Sequence, residues 1–351
     1  MIGSAAHMAS SVLPITSIQA AFEAALAEAR RFEGATAPNP PVGAAALDSE
    51  GKILSVQAHR KAGTPHAEAA VIEDLRARGE LSKVHTLVVT LEPCNHHGRT
   101  PPCSEAIIAA GIKRVIAGCM DPNPKVAGGG AERLRSAGLD FRFLGEQGSA
   151  ELGLAPLELS ESVRASVVKS CELLIAPFAY RQRTGFPWVT VKQAISFQGS
   201  MFPAPGLKTF TSESSLILAH ELRKRSDAIL TGSGTVISDR PLFTVRRVPD
   251  HPGKRRWLVV MDRRRRVETE IPDWCRAAGE RGFDLKFGDD LEAVLKDLSE
   301  QGVTEVLLEA GPSLTEVVLQ SDFWCRHVLI SQGNPSSPES QDHVKDVYRH
   351  Y

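Results

Sequence analysis

The residues whose types and spacing point to chemistry are His66, Glu68, Cys94 and Cys103. One His and two Cys form a ligand set that favours Zn²⁺, and three protein ligands leave a tetrahedral ion one open position. A water at that position loses a proton near pH ~7. Glu68 lies too close in sequence to His66 to be a fourth ligand, so we predict that it moves protons as a general acid and base. This set predicts a catalytic zinc site.

The order of these residues narrows the reaction. H-x-E followed by P-C-x-x-C is the signature of zinc deaminases. Here His66-Ala67-Glu68 precedes Pro93-Cys94, but eight residues separate Cys94 from Cys103. One alternative is a closed structural zinc site with four ligands, in which Glu68 is incidental. Another is a nucleoside or polynucleotide deaminase, which would favour the short Cys-x-x-Cys spacing and, for nucleic acid, a basic surface bearing aromatic residues.

Length and composition limit the number of domains, the classes of partner and the cellular compartment. A chain of 351 residues predicts two domains of roughly 150 residues each. The 41 Lys and Arg nearly balance the 42 Asp and Glu, so charge favours neither a nucleic-acid nor a membrane partner. The sequence contains no apolar run long enough for a membrane span, and Met1–Ser10 lacks the features of a signal peptide. Six Cys, two of them in the metal motif, favour a reduced cytoplasmic setting over a disulfide framework.

The elements around the motif alternate between strand and helix. His66 is expected to begin a helix, Cys94 to follow a strand, and Cys103 to lie where the next helix starts. This alternation predicts an α/β layer with helices on both faces. The run Gly128–Gly130 is expected either to cradle a phosphate at a helix N-terminus or to form a plain loop. The predicted segments are strands Val42–Leu47, Ile53–Ala58, Thr86–Leu91 and Arg114–Gly118, and helices Ile18–Arg31, Ala67–Arg78 and Ser104–Ala110.

Three segments, HAE, LEPCNHHGRTPPC and DPNPKVAGGG, resemble the riboflavin-biosynthesis deaminase that acts on a pyrimidine ribosylamine phosphate. In that family the deaminase is commonly fused to a C-terminal reductase. The resemblance implies a cytidine-deaminase-like domain with a connector at residues 14–185, followed by a dihydrofolate-reductase-like domain at 186–351. It implies that Asn39 and His59 contact the small-molecule substrate. From the residues alone, the pattern favours Asn39 as a turn residue between prolines, and His59 could equally be a solvated side chain.

The second half carries the reductase resemblance with departures. Lys192–Gly199 is similar to the family's K-x-A-x-S-x-D-G, with Gln198 in place of the Asp. Val236–Arg246 is similar to its T-V-x-x-D-D-P-x-L-T-V-R, with Arg240 in place of the second Asp, and Thr209 lies near the position of a family Trp. The Glu309-Ala310-Gly311-Pro312 turn is the strongest reductase mark.

The resemblance implies an NADPH site and a substrate site in this half. The loop Gly232–Thr235 is expected to offer amides to a pyrophosphate. The run Arg263–Arg266 is expected either to bind the 2′-phosphate of NADP or to be a solvated charge run. The implied cofactor residues are Ala194, Thr235, Asp239, Arg263 and Gly311, and the implied substrate residues are Lys192, Arg223, Phe243, Arg246 and Glu309.

Together these resemblances imply a bifunctional enzyme of riboflavin biosynthesis. It would use Zn²⁺ to deaminate 2,5-diamino-6-(5-phosphoribosylamino)pyrimidin-4-one, and NADPH to reduce the ribosyl chain to ribityl. The alternative is a monofunctional deaminase whose reductase-like half is degenerate or a scaffold. We also expect a homo-oligomer, and a disordered tail from about residue 331, which would leave the reductase sheet without edge strands.

Overall fold

The computed structural model describes residues 15–96, 101–123, 127–146, 159–207, 209–334, 337 and 341–349. The chain divides into two compact units. The first comprises the residues up to Phe32 together with Pro40–Ile175, and the second comprises Glu33–Asn39 together with the residues from Ala176 onward. No helix in the described ranges has the length and apolarity needed to cross a bilayer.

The first unit is built on a five-stranded sheet with the order β2-β1-β3-β4-β5. Strand β1 is antiparallel to β2 and β3, and strands β3, β4 and β5 run parallel. The elements of this unit are α1 (Ile15–Arg30), β1 (Gly43–Leu47), β2 (Ile53–Ala58), α2 (Ala67–Ala77), β3 (Thr86–Leu91), α3 (Cys103–Ala109), β4 (Arg114–Cys119), α4 (Gly129–Ser136), β5 (Asp140–Phe143) and α5 (Glu161–Thr184), whose last residues belong to the second unit.

Both faces of the central strands are covered, which confirms the predicted α/β layer. Strands β1 and β3 are buried at every residue, and such strands read as continuous apolar runs rather than alternating ones. One core cluster contains Phe22 of α1, and the other contains Leu75 of α2. The approach of α1 is close, since a Cβ at Gly43 would lie 2.0 Å from the carbonyl oxygen of Ala25. The small residues of β1 therefore set how near α1 can pack.

The second unit is built on a seven-stranded sheet with the order β12-β11-β6-β10-β7-β8-β9. Its strands run parallel except β12, which is antiparallel to β11. The elements are β6 (Trp188–Ile195), α6 (Glu213–Arg225), β7 (Ala228–Gly232), α7 (Ser233–Asp239), β8 (Arg256–Met261), α8 (Arg266–Glu270), α9 (Pro272–Glu280), β9 (Phe283–Gly288), α10 (Leu291–Glu300), β10 (Glu305–Leu308), α11 (Pro312–Gln320), β11 (Trp324–Ser331) and β12 (His343–Tyr348).

The predicted disordered tail is wrong for residues 341–349. Strand β12 pairs with β11 from Arg326 opposite Tyr348 to Ser331 opposite His343. Asp342 also accepts hydrogen bonds from the Ser212 amide and the Ser215 hydroxyl, both at 2.7 Å. Most residues of β12 are exposed, so the strand has little apolar pattern and depends on pairing with its neighbour. The sheet therefore has the edge strand that the composition did not predict.

Another expectation is corrected. The predicted Gly232–Thr235 loop is mostly helical, because α7 begins at Ser233. Helix α5 is long and has Pro177 inside it. Beyond Pro177, Tyr180 packs on Trp188 with ring centroids 5.8 Å apart. Burial in the second unit thus compensates for the backbone donor that the proline lacks.

Candidate active sites

The three predicted metal ligands come together in the first unit. His66 caps the N-terminus of α2, Cys94 follows β3, and Cys103 begins α3. His66 Nδ1 lies 3.7 Å from the Cys94 sulfur and 3.4 Å from the Cys103 sulfur, and all three ligand atoms lie within 4.8 Å of one another. A tetrahedral zinc places its sulfur and nitrogen ligands about 3.5 Å apart. The three side chains therefore fit a zinc ion.

Local structure at the start of α3 favours the thiolate form. The Cys103 amide points at the Cys94 sulfur at 3.4 Å, and the Ser104 amide donates to the Cys94 carbonyl at 3.1 Å. The hydrogen bond between the two side chains lowers the pKa of the Cys94 thiol and raises that of Cys103, so Cys94 is the thiolate of the pair. Amides at a helix N-terminus stabilise negative charge in the same way. Residues His97–Thr100 of the loop between the two cysteines lie outside the described residues.

Glu68 is placed to handle protons beside this cluster. It lies in the first turn of α2 and is only 3% exposed. Burial, followed by the negative charge of Cys94, raises the pKa of the Glu68 carboxyl to about 7. A carboxyl with a pKa near neutrality both accepts and donates protons at the pH of a cell.

His59 and Asn39, the predicted deaminase substrate residues, lie in different settings. His59 is buried, and its ring lies edge-on to His66 with centroids 5.1 Å apart. Its Nδ1 is 3.2 Å from the Pro65 carbonyl oxygen, and burial lowers its pKa. The solvated alternative for His59 is therefore wrong. Asn39 is half-buried in the turn Glu33–Asn39, which groups with the second unit, and its amide donates to the Thr36 carbonyl at 2.9 Å.

The sequence interpretation missed Glu92, whose carboxylate lies where the glycine run could cradle a phosphate. Its carboxylate accepts hydrogen bonds from the amides of Gly128, Gly130 and Ala131 at 3.0–3.1 Å and from that of Asp121 at 3.3 Å. The N-terminus of α4 therefore binds a carboxylate of the protein, and the phosphate-cradle alternative is wrong. The position of Glu92 two residues before Cys94 was the available signal.

In the second unit the structure brings together four of the five predicted substrate residues. Arg223 makes two contacts with the Glu309 carboxylate, at 2.5 and 2.8 Å, and the Lys192 ammonium lies 3.3 Å from it. The Arg223 guanidinium also lies 5.9 Å from the centroid of the Phe243 ring. Burial alone would raise the pKa of Glu309, but Arg223 and Lys192 hold it at about 2. Arg246, the fifth residue, is exposed, and its Nη1 donates to the Thr244 hydroxyl at 2.7 Å.

The predicted cofactor residues follow the carboxyl ends of parallel strands. Ala194 lies near the end of β6, Arg263 follows β8, and Asp239 is the last residue of α7. Thr235 and Gly311 are in contact, since the Gly311 amide donates to the Thr235 hydroxyl at 2.9 Å. Open α/β sheets bind ligands at this edge of the sheet.

Two of the four arginines that follow β8 form ion pairs with glutamates of α8. Arg265 pairs with Glu268 and Arg266 pairs with Glu270, at 3.3 and 2.9 Å respectively. This pairing supports the charge-run alternative for those two residues and leaves the phosphate alternative to Arg263, the predicted cofactor residue, and its neighbour Arg264.

The three departures from the reductase pattern lie on the surface of the second unit. Gln198 is exposed in the turn that the Ser196–Ser200 backbone hydrogen bond closes. The Thr209 hydroxyl lies 2.9 Å from that of Thr211. Arg240 adopts a left-handed backbone conformation with φ of 43° at the end of α7. None of the three replaces a residue in the core of the fold.

Comparison with known proteins covers both units. Residues 15–119 match the family model of the cytidine and deoxycytidylate deaminase zinc-binding region, and residues 187–325 match that of the RibD C-terminal domain. The chain is 35% identical over 326 residues to riboflavin biosynthesis protein RibD of Aquifex aeolicus, covering 87% of this chain and 84% of that protein. It is 35% identical over 328 residues to RibD of Escherichia coli, covering 85% and 82% respectively.

Solved structures give the same result for the fold. The chain superimposes on Acinetobacter baumannii RibD with a TM-score of 0.70 and 27% identity, covering 93% of this chain and 90% of that one. A deaminase/reductase of Thermotoga maritima superimposes with a TM-score of 0.76 over 95% of this chain and 99% of that one, and its 24% identity supports the fold alone. The matched regions include both halves, which favours the bifunctional interpretation over a monofunctional deaminase.

Proposed function

The chain belongs to the RibD family, the bifunctional deaminase/reductases of riboflavin biosynthesis, and from this premise we propose which substrate and which residues serve each of its two reactions. The observation that carries the proposal is the His66, Cys94 and Cys103 cluster with a buried Glu68 beside it. The matched regions support a deaminase domain at residues 14–185 and a reductase domain at 186–351.

For the first reaction we propose hydrolytic deamination of 2,5-diamino-6-(5-phosphoribosylamino)pyrimidin-4-one. His66, Cys94 and Cys103 would hold a zinc ion, which when bound would supply a Lewis acid that makes the hydrolytic water acidic. Glu68 takes one proton of that water and passes it to the ring nitrogen, and then passes the proton of the added hydroxyl to the departing amine, which leaves as ammonia. A buried carboxyl with a pKa of about 7 suits both transfers. Asn39 and His59 contact the pyrimidine in this proposal.

The test replaces the Glu68 carboxyl while keeping its shape. We expect Glu68→Gln to retain the zinc content of the wild type and to lower ammonia release by about 10²-fold or more, because it can no longer transfer protons. Glu73 is exposed on the same helix, so Glu73→Gln is the matched control and should deaminate normally. A Glu68→Gln variant with near-normal turnover would show that Glu68 is not the proton carrier.

For the second reaction we propose hydride transfer from NADPH to C1 of the opened ribosyl chain. Arg223, Phe243 and Arg246 bind the phosphorylated chain, because guanidinium groups suit bidentate contact with phosphate. Glu309 holds Arg223 and Lys192 in place, since its two oxygens already contact both cations. In this proposal NADPH is bound by Ala194, Thr235, Asp239, Arg263 and Gly311.

A coupled assay tests the second reaction in the zinc-loaded chain. We expect ammonia release and NADPH oxidation in the same sample when the diaminopyrimidine phosphate is supplied. All four Trp lie at or after residue 188, so saturable quenching of Trp fluorescence by NADPH reports on the second unit alone. Ammonia release without NADPH oxidation and without quenching would support the monofunctional alternative.

The setting and assembly are further proposals. The six Cys have no disulfide partner, which supports a reducing, cytoplasmic setting. The nearly balanced charge supports small-molecule partners rather than nucleic acid or membrane. We also propose a homo-oligomer, which light scattering of the purified chain would test: a mass of 38.0 kDa would contradict it.

A further inference from the structure

One side of helix α6 holds the loop that carries Arg246. His220 and Arg223 are three residues apart in this helix, so their side chains are neighbours on its surface. His220 Nδ1 accepts a hydrogen bond from the Arg246 amide at 2.8 Å, and the Arg247 amide lies 3.4 Å from the same nitrogen. Arg223 Nη1 donates to the Thr244 carbonyl at 3.3 Å. The backbone of this loop is therefore tied to α6 at two successive points.

The loop needs such ties because it contains a strained residue three positions before Arg246. Phe243 has a φ of 55°, in the left-handed region that side chains other than glycine rarely adopt, and it is nevertheless only 3% exposed. Conformations of this kind persist only where the surroundings enforce them. The contacts of Arg223 with Thr244 and of His220 with Arg246 and Arg247 supply that enforcement.

The His220 ring is suited to this task in its neutral form. Because Nδ1 accepts a backbone hydrogen bond, the ring proton must lie on Nε2. Burial, followed by the charges of Arg223 and Arg246, lowers the pKa of His220 to about 4, and Arg247 adds to this effect while Glu309 opposes it. The ring therefore stays an acceptor at neutral pH. A protonated ring would have no lone pair for the Arg246 amide.

The groups around His220 form a site for an anion. The guanidinium groups of Arg223 and Arg247 are close enough to Arg246 to lower its pKa further, after burial. Arg223 is paired with Glu309 and Arg247 with Glu213, whereas the contacts of the Arg246 side chain are with the uncharged Thr244. Such a concentration of positive charge is costly without a ligand and favours a phosphate.

We propose that His220 is a positioning residue of the reductase site, whose acceptor nitrogen fixes the backbone at Arg246 so that this guanidinium meets the phosphate of the substrate. The inference rests on the proposed function, since it takes the phosphorylated pyrimidine as the ligand of Arg246. His220 itself does not contact the substrate in this proposal and acts through the loop.

The test compares substitutions that keep or remove the acceptor. His220→Asn places an amide oxygen close to the position of Nδ1, whereas His220→Leu fills similar space without an acceptor. We expect His220→Leu to weaken binding of the deaminated pyrimidine phosphate by about tenfold or more, as for a backbone donor left unsatisfied. We expect His220→Asn to restore most of this binding. In both variants, the NADPH affinity from Trp quenching and the rate of ammonia release should stay within about twofold of the wild-type values. A twofold change is well below the tenfold change, about 1.4 kcal/mol, expected for the phosphorylated ligand.

Two controls separate positioning from general loss of structure. Glu221 is exposed on the same helix, where its contact is with Lys224 at 3.9 Å, so Glu221→Gln should bind as the wild type does. The same titration with the dephosphorylated ligand should show no difference between His220→Leu and wild type, because the lost contact is with the phosphate.

Each result of these titrations either supports or overturns the positioning role of His220. Tighter binding of the phosphorylated ligand by wild type and His220→Asn than by His220→Leu supports the proposal. Equal binding by all three, an equal loss in His220→Asn and His220→Leu, or a parallel loss of NADPH binding overturns it. A wild-type chain that does not bind the phosphorylated ligand at all overturns the proposed reductase function, and with it this inference.

Discussion

Replacing Glu92 by Ala should destabilise the first unit, because four backbone amides then lose their acceptor. The carboxylate is 4% exposed and holds the amides of Asp121, Gly128, Gly130 and Ala131. The contact is close packed as well as polar, since a Cβ at Gly130 would lie 1.9 Å from the Pro93 carbonyl oxygen. The chain entering Cys94 is thereby fastened to the N-terminus of α4.

The magnitude follows from these bonds. A hydrogen bond to a charged group contributes about 1.5–3 kcal/mol, but four bonds to one carboxylate do not add, because water enters the space that the side chain leaves. Removing the carboxylate also removes the cost of burying its charge. We therefore expect Glu92→Ala to lower the free energy of unfolding by about 3–5 kcal/mol. Glu92→Gln keeps one oxygen and turns donors toward two amides, so we expect about 2–3 kcal/mol.

The assay must report on the first unit alone. All Trp and Tyr residues lie at or after Tyr180, beyond the first unit, so fluorescence follows the second unit. Release of zinc to a chromophoric chelator during urea unfolding follows the first unit through His66, Cys94 and Cys103. With a typical urea dependence, a loss of 3–5 kcal/mol lowers the midpoint by about 1–3 M. The fluorescence transition should not move.

Two further variants serve as controls for the Glu92 prediction. Glu132 is exposed on α4, so Glu132→Gln should change stability by less than about 0.5 kcal/mol. Gly130→Ala should destabilise the same contact without altering charge. If Glu92→Ala and Glu92→Gln each cost less than about 1 kcal/mol, the amides are not held by the carboxylate as the distances indicate.

Three further predictions concern other parts of the fold. Asp342→Ala should increase hydrogen exchange over residues 341–349 while leaving ammonia release unchanged, because Asp342 accepts the Ser212 amide and the Ser215 hydroxyl. The two cations hold the pKa of Glu309 at about 2, below the ordinary value of 4.5 for a glutamate, so its ion pairs stabilise the protein above pH 4.5 and are lost as the pH falls toward 2. The free energy of unfolding, measured by fluorescence, should therefore fall more steeply with decreasing pH in that window for wild type than for Glu309→Gln. Equal slopes would refute the pairing. Gly43→Ala should lower the unfolding midpoint of the first unit, because its Cβ would lie 2.0 Å from the Ala25 carbonyl oxygen; an unchanged midpoint would mean that α1 moves freely.

The chemistry of the first unit was predictable because its ligands are marked by residue type and by short spacing. His66 and Glu68 share one helical turn, and Cys94 and Cys103 flank one loop. The predicted bounds of β2 and β3 are also those observed, since apolar runs between turn residues are local signals. The family resemblance supplied the remaining site residues, whose roles stay predictions.

The contacts that tertiary structure decided join residues far apart in sequence. Glu92 meets amides up to 39 residues away, and His220 meets an amide 26 residues away. Neither residue differs in type from the many Glu and His that lie in solvent, so composition could not single them out.

The sequence alone therefore determined which atoms can bind zinc and transfer protons, because residue type and spacing are local. Only the folded chain decided that Gly128–Gly130 binds a carboxylate, that β12 closes one edge of the second sheet, and that His220 holds the Arg246 loop. The physical reason is that a hydrogen bond or a strand pairing depends on which distant partner packing brings within reach, and a buried polar group must find one.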